Sequence, residues 1–136
     1  MPIDLAPIMA APLPIKLHLA TVLPAFAIGT YLIFVSAKGA PHHRALGYLY
    51  LTLMTITAAT TLFIHEVNSS GIMGLSFVHL FIPLTIYGVV SAIVGARTHN
   101  VRIHRNSMIA LYFGGFLVAG GTALGPGRML NQVFFP

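Results

Sequence analysis

Four long apolar runs constrain the fold of this chain more than any other feature. They lie at roughly 14–37, 45–66, 75–97 and 106–124. Each run is close to the ~20 residues with which a helix crosses a lipid bilayer. Only 7% of the residues are charged, whereas about a quarter of the residues of a soluble domain are charged. We therefore predict an all-α integral membrane protein, with a single domain over residues 1–136 and four transmembrane helices.

The loops between these runs are short, which predicts that consecutive spans are antiparallel neighbours in an up-down-up-down four-helix bundle. The first and third spans then face each other diagonally, as do the second and fourth. Small residues allow close helix approach or make room for a flat cofactor, and the sequence leaves both uses open. They are Ala25, Gly29 and Ser36 in the first span and Gly114, Gly115, Gly120 and Gly121 in the last.

The positive charges divide unevenly between the two sides of the predicted membrane. Five of the seven basic residues lie in the first and third loops: Lys38, Arg44, Arg97, Arg102 and Arg105. The other side holds the remaining two, Lys16 and Arg128, and both acids, Asp4 and Glu66. The positive-inside rule places the first and third loops in the cytoplasm and both termini outside. This topology accounts for the formal charge of +5, and no nucleic-acid partner is predicted.

The first twelve residues do not resemble a cleaved signal peptide. They have no basic segment ahead of an apolar core, and Pro2, Pro7 and Pro12 interrupt them. We predict a short segment at the membrane interface that leads directly into the first span.

The chain has seven histidines and no cysteine. The absence of cysteine excludes disulfides, thiolate-bound iron–sulfur clusters and covalently attached c-type haem. Acidic and basic residues are also absent from the middle of every span, which argues against a proton-coupled transporter. Any metal or haem would be held by histidine, methionine, carboxylate or tyrosine.

A weak internal repeat arranges four histidines in two pairs. A shift of 61 residues places "LHL" on "VHL", and it places "HR" of the first loop on "HR" of the third. A parallel repeat of two helix pairs has a pseudo-twofold axis along the membrane normal. His18 and His79 would then face each other near the outer surface, and His43 and His104 near the inner surface.

Two histidines that face each other across a bundle core can supply both axial ligands of a haem iron. With both positions filled, such a centre carries electrons and does not activate a substrate. Arg44, Arg105 and Arg128 lie near helix ends, where they would pair with haem propionates or a quinone head. In the alternative interpretation, His43 and His104 anchor helix ends among lipid phosphates, and His18 and His79 form hydrogen bonds between helices.

The second span carries a polar stripe with a histidine at each end. In steps of three and four it consists of His43, Gly47, Tyr50, Met54, Thr57, Thr61 and His65. This face is predicted to point inward. His65, followed by Glu66, would lie at the outer end near His18 and His79, where three histidines could hold zinc, copper or iron without porphyrin. In the haem interpretation, His65 and Glu66 accept a proton from quinol or bond a ring nitrogen of a ligand histidine, or His65 replaces His18 or His79 as a ligand.

Three segments resemble those of a domain-of-unknown-function family of predicted four-span bacterial membrane proteins. They are "KGAPHHRALGYLY", "GLSFVHLF" and "HRNSMIALYFGGFLVAGGTALGPGR". The resemblance covers nearly the whole chain and implies a multi-pass protein of the bacterial inner membrane. It implies no biochemical activity. The paired-histidine layout also resembles, in architecture alone, the dihaem b-type cytochromes that exchange electrons with quinol or ascorbate.

We therefore predict a membrane-embedded protein that binds one or two b-type haems and transfers electrons to or from a quinone. Its preferred axial pairs are His18 with His79 and His43 with His104. One alternative is a haem-free metal site at His18, His65 and His79. Another is an accessory or assembly subunit of a larger membrane complex, with structural histidines. The sequence does not decide whether the chain is a membrane oxidoreductase or an electron carrier.

Overall fold

A computed structural model of the protein describes residues 2–64 and 77–136. The described residues form helices and connecting turns and contain no strand, which confirms the predicted all-α class. The α-helices are α1 (Ala6–Ala10), α2 (Leu13–Phe34), α3 (Pro41–Thr61), α4 (Phe81–Arg97), α5 (Val101–Phe113), α6 (Gly120–Ala123) and α7 (Met129–Phe134). A 3₁₀ turn, Phe77–Leu80, precedes α4, and a π-helical turn, Gly114–Ala119, joins α5 to α6.

The first two long helices are bounded by residues that suit helix ends. The ammonium group of Lys38 donates to the carbonyl oxygens of Leu32 and Ile33, which otherwise lack intrahelical partners at the end of α2. The helix accordingly ends at Phe34 and not at the predicted residue 37. Helix α3 begins at Pro41, ahead of the predicted residue 45, because proline fits the first turn of a helix, where its missing N–H costs nothing.

Helix α5 also begins earlier than the apolar run predicts. The side-chain oxygen of Asn100 accepts a hydrogen bond from the Ile103 amide at 3.2 Å, which satisfies one of the free donors of the first turn. The helix therefore starts at Val101 and includes polar residues that lie outside the apolar run. Helix α5, the π-helical turn and α6 form one continuous helical segment.

The four long helical segments pack as an antiparallel bundle. Contacts run from α2 to α3, from α3 to α4, from α4 to α5, and from α5 back to α2, so sequence neighbours are also spatial neighbours. Near the start of α2, His18 bonds the Thr57 carbonyl and the Thr21 hydroxyl accepts from the Thr57 hydroxyl. Since Thr57 lies near the end of α3, these bonds fix the antiparallel direction of the pair. The predicted up-down-up-down packing is observed among the described helices.

Small residues allow the closest helix contacts. A Cβ atom added at Gly29 of α2 would lie 2.8 Å from the ring of Tyr50 and 2.9 Å from the ring of Tyr112. The Tyr112 hydroxyl also bonds the Thr30 hydroxyl at 2.7 Å. At Gly95 of α4 the added Cβ would lie 2.5 Å from the backbone nitrogen of His104. Glycine is required at both crossings because no side chain fits there.

The outward surface of the bundle is strongly apolar. Large side chains such as Leu23, Leu84 and Tyr87 are 62–74% exposed, and apolar exposure on this scale is typical of a surface that contacts lipid or another protein. Among the described helices, α2 has both the length and the apolar composition of a membrane span, and α4 is apolar but shorter. The prediction of four membrane spans stays a prediction.

Candidate functional site

A cavity of about 640 Å³ opens between the helices at one end of the bundle. This volume lies within the range of about 300–1,000 Å³ that is usual for sites of small molecules and cofactors. We call this end of the bundle the His18 end, since His18 of α2 lines the cavity. His79 of the 3₁₀ turn lines the same cavity. The structure thus brings the first predicted histidine pair to one cavity, from helices on opposite sides of the bundle.

The side chain of His18 is held by three residues near the end of α3. Its Nδ1 atom lies 3.2 Å from the carbonyl oxygen of Thr57, 3.2 Å from the Thr60 hydroxyl and 3.3 Å from the Thr61 hydroxyl. We call these three residues the threonine cluster. The hydroxyls of Thr60 and Thr61 both donate to the Thr57 carbonyl, at 2.7 and 2.9 Å. Their single hydrogens are therefore already used.

This arrangement determines which nitrogen of His18 carries the proton. A carbonyl oxygen only accepts hydrogen bonds, and the two hydroxyls offer only their lone pairs to the ring. Nδ1 must therefore donate, and the neutral ring then has its free lone pair on Nε2. Histidines that bind metals or haem iron commonly have one nitrogen fixed in this way by a backbone carbonyl, which leaves the other nitrogen to coordinate. His18 thus has the hydrogen-bond pattern that is typical of a metal-coordinating histidine, with Nδ1 as the donor and the lone pair on Nε2.

Two members of the threonine cluster belong to the polar stripe of the second span. Thr57 and Thr61 are buried, as are Tyr50 and Met54, which confirms the prediction that this face points inward. The role of the threonines in holding His18 was not predicted. The helical spacing of Thr57 and Thr61 along the stripe could have indicated that both face the interior. Thr60 lies beside the stripe, so its spacing gave no such indication. Its contact with His18 depends on the packing of α2 against α3.

Glycines and a widened helical turn open the cavity on the side of the last helix. Gly115 and Gly120 line the cavity, and a Cβ added at Gly120 would meet nothing within 4 Å. The π-helical turn contains Gly115, and π turns frequently occur at functional sites. Gly120 therefore borders open space and Gly115 borders the cavity beside Met54, whereas Ala25 and Gly29 of α2 are buried in helix contacts.

The two short terminal helices pack against each other at the His18 end. The Asp4 amide donates to the Val133 carbonyl of α7 at 3.1 Å, and α1 contacts α7. Arg128, which immediately precedes α7, lines the cavity together with Met129 and Leu130. Arg128 therefore lines the same cavity as His18 and His79.

The second predicted pair, His43 and His104, lies at the opposite end, which we call the His43 end. Nδ1 of His104 lies 2.9 Å from the Ala92 carbonyl oxygen, so this nitrogen also donates and Nε2 keeps the lone pair. Nδ1 of His43 lies 3.0 Å from the buried Ser36 hydroxyl. Burial lowers the pKa of His43, and the charges of Lys38 and His104 lower it further. The neutral form, which can act as a ligand, is thereby favoured.

The remaining predicted residues occupy different positions. Arg44 and Arg105 are exposed at the His43 end, and His42 and His99 are exposed as well. His65 and Glu66 lie outside the described residues. Within residues 2–64 and 77–136, no group of three or more histidine or acidic side chains is placed to hold a metal ion. The predicted haem-free metal site includes His65, so it lies partly beyond that range.

Comparison with known proteins identifies the family. Residues 15–133 match the family described as "Predicted membrane protein (DUF2306)". The chain belongs to this family. The match covers all helices that line the cavity, and it confirms the resemblance found in the sequence segments. No curated protein and no solved structure matches the chain at a significant level, so the resemblance to dihaem cytochromes is not confirmed.

Membership of the DUF2306 family identifies the chain as a predicted membrane protein. The exposed apolar side chains on the outside of the bundle agree with a lipid environment. Family membership assigns no reaction, so the function has to be inferred from the cavity and its histidines.

Proposed function

We propose that this DUF2306 protein is a membrane-embedded b-type haem protein that transfers electrons, with His18 and His79 as the axial ligands at the His18 end. One observation carries the proposal. Two histidines line one cavity of about 640 Å³, and acceptor groups alone surround Nδ1 of one of them. The Nδ1 contacts join α2 to α3, as those of a structural histidine do, but they also leave the lone pair on Nε2 for coordination of a haem iron.

Haem with two histidine ligands supplies one-electron chemistry without an open coordination position. The protein would contribute three things at this site. The threonine cluster orients His18, Arg128 pairs with the propionate carboxylates, and the apolar walls keep water away from the iron. The electron partner in this proposal is a membrane quinone, which would exchange electrons at the edge of the site.

His43 and His104 would hold a second haem at the His43 end. The support is the fixed Nδ1 donor of His104 and the lowered pKa of His43, since both leave a lone pair ready for coordination. Two haems at opposite ends of the bundle would give an electron path through the membrane. In this part of the proposal, Arg44 and Arg105 pair with the second set of propionates or with lipid phosphates.

The proposal includes a topology. The chain would cross the bacterial inner membrane four times, with both termini on the periplasmic side. The uneven division of Lys and Arg between the two ends supports this orientation. The His18 end would then face the periplasm and the His43 end the cytoplasm.

The test is the absorption spectrum of the purified full chain. We expect a red protein with a Soret band and a sharp α-band after reduction with dithionite, and near two haems per chain by pyridine haemochrome assay. A colourless protein with stoichiometric zinc, copper or iron would contradict the proposal in favour of the haem-free site. A colourless protein without metal would favour the accessory subunit.

A substitution in the threonine cluster tests the orientation of His18. Thr61→Val keeps the shape but removes a hydroxyl that contacts His18 Nδ1. We expect a loss of haem affinity of about tenfold, the lower end of the effect of outer-shell partners. We also expect a more positive midpoint potential, because a less basic ligand stabilises oxidised iron less. The measurements are haem titration of the apoprotein and redox potentiometry.

Thr55→Val is the matched control. Thr55 lies on the same helix, and its hydroxyl donates to the Leu51 carbonyl at 2.8 Å. It does not belong to the threonine cluster that holds His18. Its spectrum and midpoint potential should stay unchanged. Equal shifts in both variants would show that the threonine hydroxyls affect the helix and not the ligand.

A further inference from the structure

A second concave surface lies on the outside of the bundle, between α4 and α5. This groove has a volume of about 390 Å³ and is independent of the His18 cavity. Its walls include Val90, Ser91 and Val94 from α4 and Ile103, Asn106 and Ser107 from α5. We call it the α4–α5 groove.

The groove combines an apolar channel with a polar end. Val90 and Val94 are 54% and 49% exposed, so their side chains are available to an apolar ligand. Asn106 is exposed on the α5 wall, and Arg102 stands four residues before it, on a neighbouring part of the same helix surface. A ligand that fits would have an apolar chain along the valines and an anionic group near Arg102.

Among the described residues, the charges around this end of the groove have no acidic partner. The chain contains two acidic residues, Asp4 and Glu66. Asp4 lies at the other end of the bundle, where its carboxylate accepts from the Ala6 amide, and Glu66 lies outside the described residues. Arg97, Arg102 and Arg105 are exposed together at the His43 end. The described part of the chain therefore supplies no counter-charge for them, and an external anion would be attracted to this end of the groove.

We propose that the α4–α5 groove binds an anionic phospholipid of the surrounding membrane, with one acyl chain between α4 and α5 and the phosphate near Arg102. Basic sites beside grooves between membrane helices are well suited to anionic headgroups. A second copy of the chain fits less well. A twofold contact through the groove would bring the Arg102 side chains of both copies to the same interface, where like charges repel.

The experiment uses the delipidated full chain in detergent micelles. Phosphatidylglycerol and phosphatidylcholine with identical acyl chains are titrated, and bound lipid is counted by native mass spectrometry. We expect phosphatidylglycerol to bind more tightly than phosphatidylcholine. Arg102→Gln should weaken phosphatidylglycerol binding by about fivefold, which corresponds to the contribution of one basic residue near a lipid surface. Val94→Trp, which fills the exposed channel, should weaken both lipids.

Lys16→Gln is the matched control, because Lys16 is also an exposed basic residue but lies on α2 at the other end of the bundle. Its lipid binding should equal that of the unchanged protein. An equal loss in Lys16→Gln and Arg102→Gln would overturn the proposal, since the attraction would then be general. Equal affinity for the two lipids would also overturn it. Efficient cross-linking of dimers through Ser91→Cys, without competition by lipid, would assign the groove to a second copy instead. None of these results depends on haem.

Discussion

Replacing His18 by alanine is expected to abolish haem binding at the His18 end and to leave the second haem in place. The substitution removes one of the two proposed haem ligands, the side chain that the threonine cluster orients. The loss of affinity should exceed the ~10–100-fold that follows from losing an outer-shell partner. The measurement is haem content per chain together with the spectrum of the reduced protein. His79→Ala should give the same result, because both histidines line one cavity.

Two comparisons make this prediction specific. His99→Ala changes an exposed loop histidine and should leave haem content unchanged. His18→Gly leaves space for a free imidazole, so added imidazole should restore the lost haem if the histidine acts as a ligand. Retention of both haems in His18→Ala and His79→Ala would disprove the assigned pair, even if the protein is red. Loss of fold would instead abolish both haems, and imidazole would not restore them.

Replacing Gly95 by alanine is expected to destabilise the bundle by about 3 kcal/mol, near the upper end of the usual cost of overpacking. The added Cβ would lie 2.5 Å from the backbone nitrogen of His104 and 3.0 Å from its Cα. Backbone atoms cannot rotate away as a side chain does, so α4 and α5 must separate. The measurement is reversible unfolding in mixed micelles. The displaced His104 should also reduce the haem content of the His43 end.

Gly47→Ala is expected to have the opposite effect on the stability of the bundle. Gly47 lies inside α3, and a Cβ there would meet nothing within 4 Å. Alanine should therefore stabilise the protein by about 0.5–1 kcal/mol, through its better helix propensity and the lower entropy of the unfolded chain. If both substitutions have the same sign, the close approach of α4 and α5 is not a determinant of stability.

Hydrophobic patterns in the sequence were sufficient to predict the four long helical segments and their order, but not the short helices α1 and α7. The four apolar runs correspond to α2, α3, α4 and the segment from α5 to α6. The inward stripe of the second span was also predictable, because helical periodicity places Tyr50, Met54, Thr57 and Thr61 on one face. The helix ends were less predictable. They depend on single capping contacts, such as those of Lys38 and Asn100. The average hydrophobicity of a segment carries no information about such contacts.

The details of the candidate site could not be predicted because they depend on contacts between helices. The sequence predicted His18 and His79 as a pair but not the tautomer of His18, which is set by the Thr57 carbonyl and the hydroxyls of Thr60 and Thr61 across the α2–α3 contact. It also left two uses open for the small residues. A glycine has no side chain that indicates its role, so only the neighbouring atoms distinguish Gly29, which is enclosed by two tyrosine rings, from Gly120, which borders open space.

The π-helical turn Gly114–Ala119 indicates how the last helical segment evolved. A π turn contains about one residue more than an α turn, and each residue of an α-helix advances the side chains by about 100°. Deletion of one residue within this turn would restore regular winding and rotate Thr122 and Ala123, which now line the cavity, to another face. The turn therefore has the form of a one-residue insertion. Homologues that lack that residue should retain the four helices and have lost the cavity.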